Sequence, residues 1–194
     1  MDITTLVIIA VVVIVLGWLI LNYNRLVRLR NRIAAAWSQI DVQLRRRYDL
    51  IPNLVETVKG YAGHERETLE AVVAARQQGI DARSIEDQGL AENMITGTLG
   101  RLFALQEAYP NLKADKSFRS LQEELTGTEG RIAYSRQFYN EQVLSYSNAI
   151  EVFPTNIIAG MFNFEPKPYF EMEEIARQPV RVDFGSSAGA DDAD

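Results

Sequence analysis

The residue types that do chemistry in helical proteins are sparse in this sequence. Di-iron centres in helix bundles use carboxylates together with Glu-x-x-His pairs from two helices, but the chain has one histidine, His64, and no Glu-x-x-His spacing. It also has no cysteine, which excludes thiolate metal sites, disulfides and thiol catalysis. We therefore expect no metal centre and interpret His64 as a surface residue or a hydrogen-bonding group at a helix start, rather than a catalytic base.

A second set of polar groups stands beside a proline. Asn53 and Glu56 are three positions apart and follow Pro52 directly, so they share one side of a helix. They could accept a ligand. Polar groups near a proline also commonly satisfy the backbone groups that it frees, here the carbonyl of Tyr48, and we favour this structural interpretation.

The remaining candidates give no enzyme signature. Tyr139 and Asn140, in "YNEQ", could be partners for the proline region from another helix. The sequence shows no Ser/His/Asp or Cys/His set, no phosphate-binding loop and no nucleotide motif. An enzyme is therefore the least expected class, and we predict no catalytic residue and no cofactor.

The elements that would position these groups begin with an apolar segment. Residues 3–21, "ITTLVIIAVVVIVLGWLIL", contain no charge, and a helix of this length covers about 28 Å, close to the hydrocarbon thickness of a bilayer. The start at Met1-Asp2 is not basic and Leu21-Asn22 offers no small-residue cleavage site, which argues against a signal peptide. A core helix is rarely apolar on all faces. We assign residues 1–24 to a transmembrane segment.

Charge indicates how the segment is oriented. The basic residues that flank it all follow it: Arg25, Arg28, Arg30 and Arg32. Because Lys and Arg favour the cytoplasmic side, we expect the part after the span to be cytoplasmic, with residues 25–32 close to anionic lipid headgroups. Residues 1–60 carry a net charge of +4 and residues 61–194 a net charge of −10, which together give −6; a nucleic-acid-binding domain would show the opposite balance.

One apolar stripe follows the span, with a residue at every third or fourth position: Leu26, Leu29, Ile33, Trp37, Ile40, Leu44, Tyr48, Ile51, Val55 and Val58. This period predicts one long amphipathic helix. The stripe keeps its phase across Pro52, which favours a kink within the helix over a restart capped by Asp49. Lys59, Gly60 and Gly63 predict the helix end and a tight turn.

Three further helices are predicted by the same period, over residues 64–78, 85–108 and 116–150, with 109–115 as a connector. Helices joined by short turns pack antiparallel. We therefore predict an all-α fold in which the N-terminal transmembrane helix continues into an antiparallel four-helix bundle, residues 25–152, with a long kinked first helix.

The segment after the bundle, "FPTNIIAGMFNF", is rich in apolar side chains: Phe153, Ile157, Ile158, Met161, Phe162 and Phe164. As a helix it is about 18 Å long, too short to span a bilayer. The antiparallel order returns it to the membrane face, where its partner would be the bilayer interface, the base of a neighbouring subunit or the chain's own core. We predict that these six residues lie along the membrane face and form an interface between subunits. We assign residues 153–184 to this segment and an extended arm, and residues 185–194 to a disordered acidic tail.

Three consecutive arginines, Arg45, Arg46 and Arg47, begin about 36 Å beyond the span on an upright helix, too far to touch the same membrane. Consecutive positions face different directions on a helix, so at least one should point away from the bundle. They form either a solvated face or a contact with acidic residues of a neighbouring subunit.

Several long motifs, in order, carry a family resemblance. The N-terminal span, "NRLVRLRNRIAAAWSQIDVQLRRRYDLIPNLVETVKGYAGHE", "LQEAYPNLKAD", "YNEQVLSYSNAI" and "FPTNIIAGMFNFEPKPYF" resemble the bacterial LemA family as far as Phe170. The resemblance implies a membrane-anchored helical bundle in the bacterial cytoplasmic membrane, with no established catalytic residues. Some relatives are linked to membrane organelle formation, and others are encoded beside membrane metallopeptidases.

These observations favour a non-enzymatic, single-pass protein. The first hypothesis is a homo-oligomeric scaffold that organises or shapes the lipid bilayer. The second is an accessory subunit or regulator of another membrane protein, such as a membrane peptidase. Large homo-oligomers in mild detergent would favour the first hypothesis, and small species that await a partner would favour the second.

Overall fold

The computed structural model describes residues 2–171. Its helices in this range are α1 (Ile3–Ala62), α2 (Arg66–Asp81), α3 (Ile85–Ala108), α4 (Pro110–Ala114), α5 (Lys116–Glu151) and α6 (Thr155–Met161). No strand occurs between residues 2 and 171, which confirms the all-α class. The extended arm predicted towards residue 184 and the acidic tail at 185–194 lie outside the described residues.

α1 combines the apolar segment and the first helix of the bundle in 60 residues without interruption. Within residues 2–171 it is the one helix that is long and apolar enough to cross a membrane, and its apolar window is not buried by the rest of the chain. The stripe that follows is buried as its period predicts, from Leu26 through Ile40 and Ile51 to Val58. The two halves of α1 therefore have different surroundings: an exposed apolar half and an amphipathic half that packs on other helices.

The end of α1 differs slightly from the prediction. The helix continues through Pro52 and ends at Ala62, so Gly60 lies inside it. Gly63 caps the helix with φ −63°, a right-handed conformation that does not require glycine. The turn to α2 thus forms three residues later than the Lys59–Gly60 pattern indicated, with His64 exposed in it.

α5 is the antiparallel partner of α1 along its whole soluble length. At the end far from the span, the Tyr61 hydroxyl donates to Asp115 at 2.9 Å. Nearer to the span, the rings of Trp37 and Tyr139 are 5.5 Å apart. Residue 61 of α1 pairs with residue 115 and residue 37 with residue 139, so the two helices run in opposite directions. The end of α5 therefore lies beside the point where the apolar segment of α1 ends, as the matched helix lengths predicted.

α2 and α3 pack beside α1 and α5 only in the part of the bundle far from the apolar segment, which we call the distal half; the part near that segment is the proximal half. α2 has 16 residues and α5 has 36, which correspond to about 24 Å and 54 Å. α2 and α3 reach back along α1 to the level of Arg47, which contacts Glu92 of α3. α2 therefore lies beside only part of the length over which α1 and α5 pack. The all-α class with its long N-terminal apolar helix is confirmed, and the antiparallel four-helix bundle stays a prediction.

The proximal half is completed by α6 and by residues 164–171, which we call the return segment. The segment runs up α5 without helix, and α5 side chains bind its backbone. The hydroxyls of Tyr146 and Tyr139 donate to the carbonyls of Glu165 and Pro168, both at 2.9 Å. Asn140 accepts from the Phe170 N–H at 2.9 Å and donates to its carbonyl at 3.2 Å.

The return segment ends against the start of α3 at a glycine. A Cβ on Gly89 would lie 2.2 Å from the Glu171 carbonyl oxygen, so only glycine permits this approach. Phe170 is fully buried and its ring lies 5.4 Å from that of Trp37. Tyr139 and Asn140 therefore fix the return segment, which corrects the prediction that they are partners of the Pro52 region.

Candidate functional site

The end of the molecule beside the span presents an apolar surface. Four side chains there are largely exposed: Phe153 (74%), Ile157 (54%), Met161 (69%) and Phe162 (53%). Ile157 and Met161 are four positions apart in α6, so they share one face of that helix, and Phe153 lies in the turn that precedes it. We call these four side chains the base.

The base is fixed beside the point where α1 leaves its apolar half. The ring of Tyr23 lies 4.9 Å from that of Phe162 and 5.7 Å from that of Phe164. The Arg30 guanidinium lies over the Phe164 ring at 5.4 Å, a cation–π contact. The base is therefore at the level of the end of the apolar segment.

Two of the six apolar residues singled out in this segment do not belong to the exposed surface. Ile158 is fully buried and Phe164 is 7% exposed. Ile158 follows Ile157 by one position, about 100° further around α6, and the N–H of Phe164 donates to the Ala159 carbonyl at 2.9 Å. These two residues close the chain's own core, and this corrects their assignment to an intermolecular interface.

The three consecutive arginines have three different surroundings. Arg45 is exposed and pairs with Asp41 at 2.9 Å, and Arg46 lies 3.8 Å from Glu124 of α5. Arg47, in contrast, is 1% exposed. Arg47 is not accessible to a neighbouring subunit, so its assignment to an exterior contact is wrong.

Arg47 belongs to a buried polar network that the sequence analysis missed. Its guanidinium donates to Glu92 at 2.8 Å and to Thr96 at 2.9 Å. The Tyr48 hydroxyl donates to the other Glu92 oxygen, and the Gln88 amide donates to the Tyr48 oxygen at 2.6 Å. The network joins α1 to α3.

Electrostatics in the network are set by burial. Burial raises the pKa of Glu92, and the positive charge of Arg47 opposes that shift. Burial and the Glu92 charge also raise the pKa of Tyr48, which therefore stays a neutral donor. Both carboxylate oxygens of Glu92 are hydrogen-bonded, whereas the Nε of Arg47 is buried without a hydrogen-bond partner in residues 2–171. Buried side-chain networks of this kind hold the elements that they join in one arrangement.

One signal for the network was present in the sequence. Glu92 precedes Ile95, Leu99 and Leu102 at steps of three, four and three, so it continues the apolar stripe of α3. A carboxylate in an apolar stripe requires a buried cation. The period alone could not indicate that this cation is Arg47.

The backbone carbonyl freed by Pro52 is satisfied from another helix. Pro52 has no N–H for the Tyr48 carbonyl four residues earlier, and the Arg76 guanidinium of α2 donates to that oxygen at 2.7 Å. Asn53 and Glu56 are exposed, and Glu56 pairs with Lys59 at 3.5 Å. Arg76, rather than Asn53 or Glu56, therefore compensates for the proline.

No cluster of three or more His, Asp or Glu side chains that could hold a metal ion occurs within residues 2–171. The two buried charged side chains in that range, Arg47 and Glu92, bind each other. The base, in contrast, is exposed and available to other molecules.

Comparison with known proteins links this architecture to one family. The sequence profile of the LemA family matches residues 36–184. Magnetosome protein MamQ 2 of Paramagnetospirillum magneticum is 24% identical over 195 residues, which covers 87% of this chain and 72% of the relative. Protein LemA of Metamycoplasma hominis is 29% identical over 161 residues, with 81% and 72% covered. The profile match includes the buried network, the base and the return segment.

Proposed function

This chain belongs to the LemA family, and from this premise we propose that it is a non-enzymatic, membrane-anchored protein that self-associates into a scaffold at the membrane surface. The observation that carries the proposal is the base. Its exposed apolar side chains lie beside the end of a helix that is long and apolar enough to cross a bilayer.

The exposed side chains of the base are expected to contact lipid or protein rather than water. Full burial of a large apolar side chain contributes about 1.5–3 kcal/mol, and Phe153, Ile157, Met161 and Phe162 are four such side chains in one patch. An amphipathic segment of this kind lies in the plane of the interface when a bilayer is beside it. The contact between Tyr23, which follows the apolar stretch of α1, and Phe162 supports this position.

Self-association follows from confinement to one plane. Every copy anchored by α1 presents its base at the same height, so the bases of neighbouring copies meet side by side. An inserted apolar helix on each copy would also expand the leaflet that it enters, which is a means of shaping a membrane. The similarity to proteins named for the magnetosome supports a role at a membrane, and it does not identify which membrane.

The experiment compares the full chain with a double variant, Ile157→Glu with Phe162→Glu, in mild detergent. Both side chains are more than half exposed, so we expect the helical circular-dichroism signal to stay near that of the unaltered chain while the mass measured by light scattering falls. The matched control, Val73→Glu with Ile80→Glu, adds the same charge at the exposed surface of α2 and should keep the large species.

Two results would contradict the proposal. If the double variant loses its helical signal, the base is part of the monomer core. If the unaltered chain is already a small species, and cross-linking in native membranes captures a different membrane protein, the chain is an accessory subunit of that protein instead.

A further inference from the structure

A basic groove lies on the first turns of α1 beyond the apolar segment. Arg25, Arg28 and Arg32 are spaced by three and four residues, which puts them on one face of the helix. That face is opposed by α5, whose Gln142 and Ser145 form the other wall. The groove is open and has a volume of about 730 Å³, a size typical of ligand sites.

The three arginines of the groove are unpaired within the part of the chain that the structure describes. Other arginines on α1 have partners: Arg30 has the Phe164 ring, Arg45 has Asp41, Arg46 has Glu124 and Arg47 has Glu92. The side chains of Arg25, Arg28 and Arg32 make no hydrogen bond or ion pair with any residue in 2–171. No carboxylate lines the groove, so its positive charge is not neutralised from within.

The position of the groove identifies the chemistry that it meets. Arg25 and Arg32 lie about 6 Å and 17 Å beyond residue 21 along the helix axis, so the groove starts in the headgroup region that flanks the hydrocarbon core. Guanidinium groups bind phosphate oxygens in a bidentate manner. The anion present at high concentration at that level is the phosphate of a lipid.

We propose that this groove is a binding site for the headgroup of an anionic phospholipid. Arg25, Arg28 and Arg32 bind its phosphate, and Gln142 and Ser145 supply uncharged hydrogen-bonding groups to the rest of the headgroup. Since one wall belongs to α5, the site exists only when α5 is packed on α1, and it differs from a diffuse basic stretch in this respect. The proposal rests on membrane insertion of α1 but not on self-association.

The experiment measures lipid binding to the full chain released from neutral detergent micelles, by native mass spectrometry, with phosphatidylglycerol or phosphatidylcholine added. We expect a saturable phosphatidylglycerol adduct that phosphatidylcholine does not form at the same concentration. Loss of a charge-assisted hydrogen bond from a guanidinium to a phosphate weakens binding by at least about tenfold, so Arg28→Gln with Arg32→Gln should weaken the adduct by at least about 100-fold. Gln142→Glu, which changes no arginine, should weaken it as well.

Arg30→Gln is the control. It removes one positive charge at a depth between Arg28 and Arg32, as each single substitution of the double variant does, from a side chain outside the groove. It should keep the adduct within about twofold of the unaltered chain if the groove, rather than the summed charge, binds the lipid. Three outcomes would overturn the proposal: equal binding of both lipids, equal losses in Arg30→Gln and the double variant, or displacement of the lipid by inorganic phosphate at equal concentration. Resistance of α1 to carbonate extraction, measured in parallel, distinguishes a failed lipid site from a failed anchor.

Discussion

At the scale of single residues, the ion pair between Arg47 and Glu92 decides how the distal helices fit together. Both side chains are almost completely buried, 2% and 0% exposed, with 2.8 Å between their charged atoms. A buried pair stabilises little relative to apolar residues, but a buried charge without its partner is costly. The network therefore contributes more to the unique register of α1 and α3 than to total stability.

Glu92→Leu should therefore destabilise the fold strongly. The substitution leaves the Arg47 charge buried without a carboxylate, and we expect a loss of about 3–5 kcal/mol in the free energy of unfolding. Denaturant unfolding of the full chain in detergent, followed by circular dichroism, measures it. The double variant Arg47→Met with Glu92→Leu should recover most of the loss, because it removes both charges together.

Glu129 provides the control for this ion pair. It lies 4.0 Å from Arg47 and its side chain is 49% exposed, so Glu129→Leu should cost less than about 1 kcal/mol. Equal losses for Glu92→Leu and Glu129→Leu would show that burial of the pair does not matter, and would contradict the role given to the network.

The sequence predicted burial well for residues whose burial follows from the helical period. It predicted burial poorly for residues that are buried because a distant side chain pairs with them. The stripe from Leu26 to Val58 indicated the buried face of α1, since a 3.6-residue period maps directly onto one side of a helix. The same period left Arg47 outside the stripe and did not reveal its burial. Its partner is 45 positions away, and only the packing of α3 brings it close.

At the scale of elements, α1 keeps its continuity across Pro52 because α2 supplies the missing donor. The hydrogen bond from Arg76 to the Tyr48 carbonyl replaces the one that the proline cannot make. A charged donor to a backbone carbonyl is worth about 1.5–3 kcal/mol. Proline and arginine should therefore be coupled energetically.

A double-mutant cycle tests this coupling. Arg76→Met should cost about 1.5–3 kcal/mol in the unaltered chain. In a Pro52→Ala background, where the substituted residue offers a backbone N–H to the Tyr48 carbonyl, the same change should cost at least about 1 kcal/mol less. Pro52→Ala alone should keep the bundle folded. Denaturant unfolding of the four chains gives the coupling free energy.

The control for the cycle is Arg83→Met, since Arg83 is exposed in the turn between α2 and α3; its substitution should change stability by less than about 0.5 kcal/mol in either background. If the Arg76→Met cost is the same with and without Pro52, the two residues act independently and the compensation proposed for α1 is wrong.

The sequence predicted the bounds of α3 and α5 closely, but it did not predict the path of the chain after α5. α3 spans the predicted range, Ile85–Ala108, and α5 extends one residue beyond its predicted end, to Glu151. The predicted connector at 109–115 contains the short helix α4, which begins at Pro110, a position that proline favours. The return segment was not predicted, because side chains such as Tyr139 bind its backbone carbonyls, and sequence carries no period for such contacts.

At the scale of the whole molecule, the fold has two ends with different exposure. One end carries the base, beside the apolar half of α1, and the other carries the α1–α2 turn and Asp115, which caps α5 through the Phe118 N–H at 2.8 Å. The matched lengths of α1 and α5 predicted that the chain returns to the membrane face. They could not indicate which of its apolar residues close the core, since that depends on the side of α6 that each occupies.

Orientation in the membrane is a prediction at this scale. The arginines that follow the span favour a cytoplasmic bundle, so trypsin added to intact spheroplasts should not cut at Arg83, which is exposed in a turn. After permeabilisation the same site should be cleaved, which controls for its accessibility. Cleavage between residues 60 and 110 in intact spheroplasts would show the opposite orientation.

The most direct test of self-association through the base uses the absence of cysteine from the chain. Ile157→Cys puts one thiol in the base, and Val73→Cys puts one on the exposed surface of α2 with similar exposure, 54% and 49%. Each variant is treated in native membranes with a short bismaleimide cross-linker, and covalent dimers are measured by electrophoresis. We predict dimers of the chain with itself for Ile157→Cys and few or none for Val73→Cys. Equal cross-linking at the two positions, or none at residue 157, would contradict a scaffold assembled through the base.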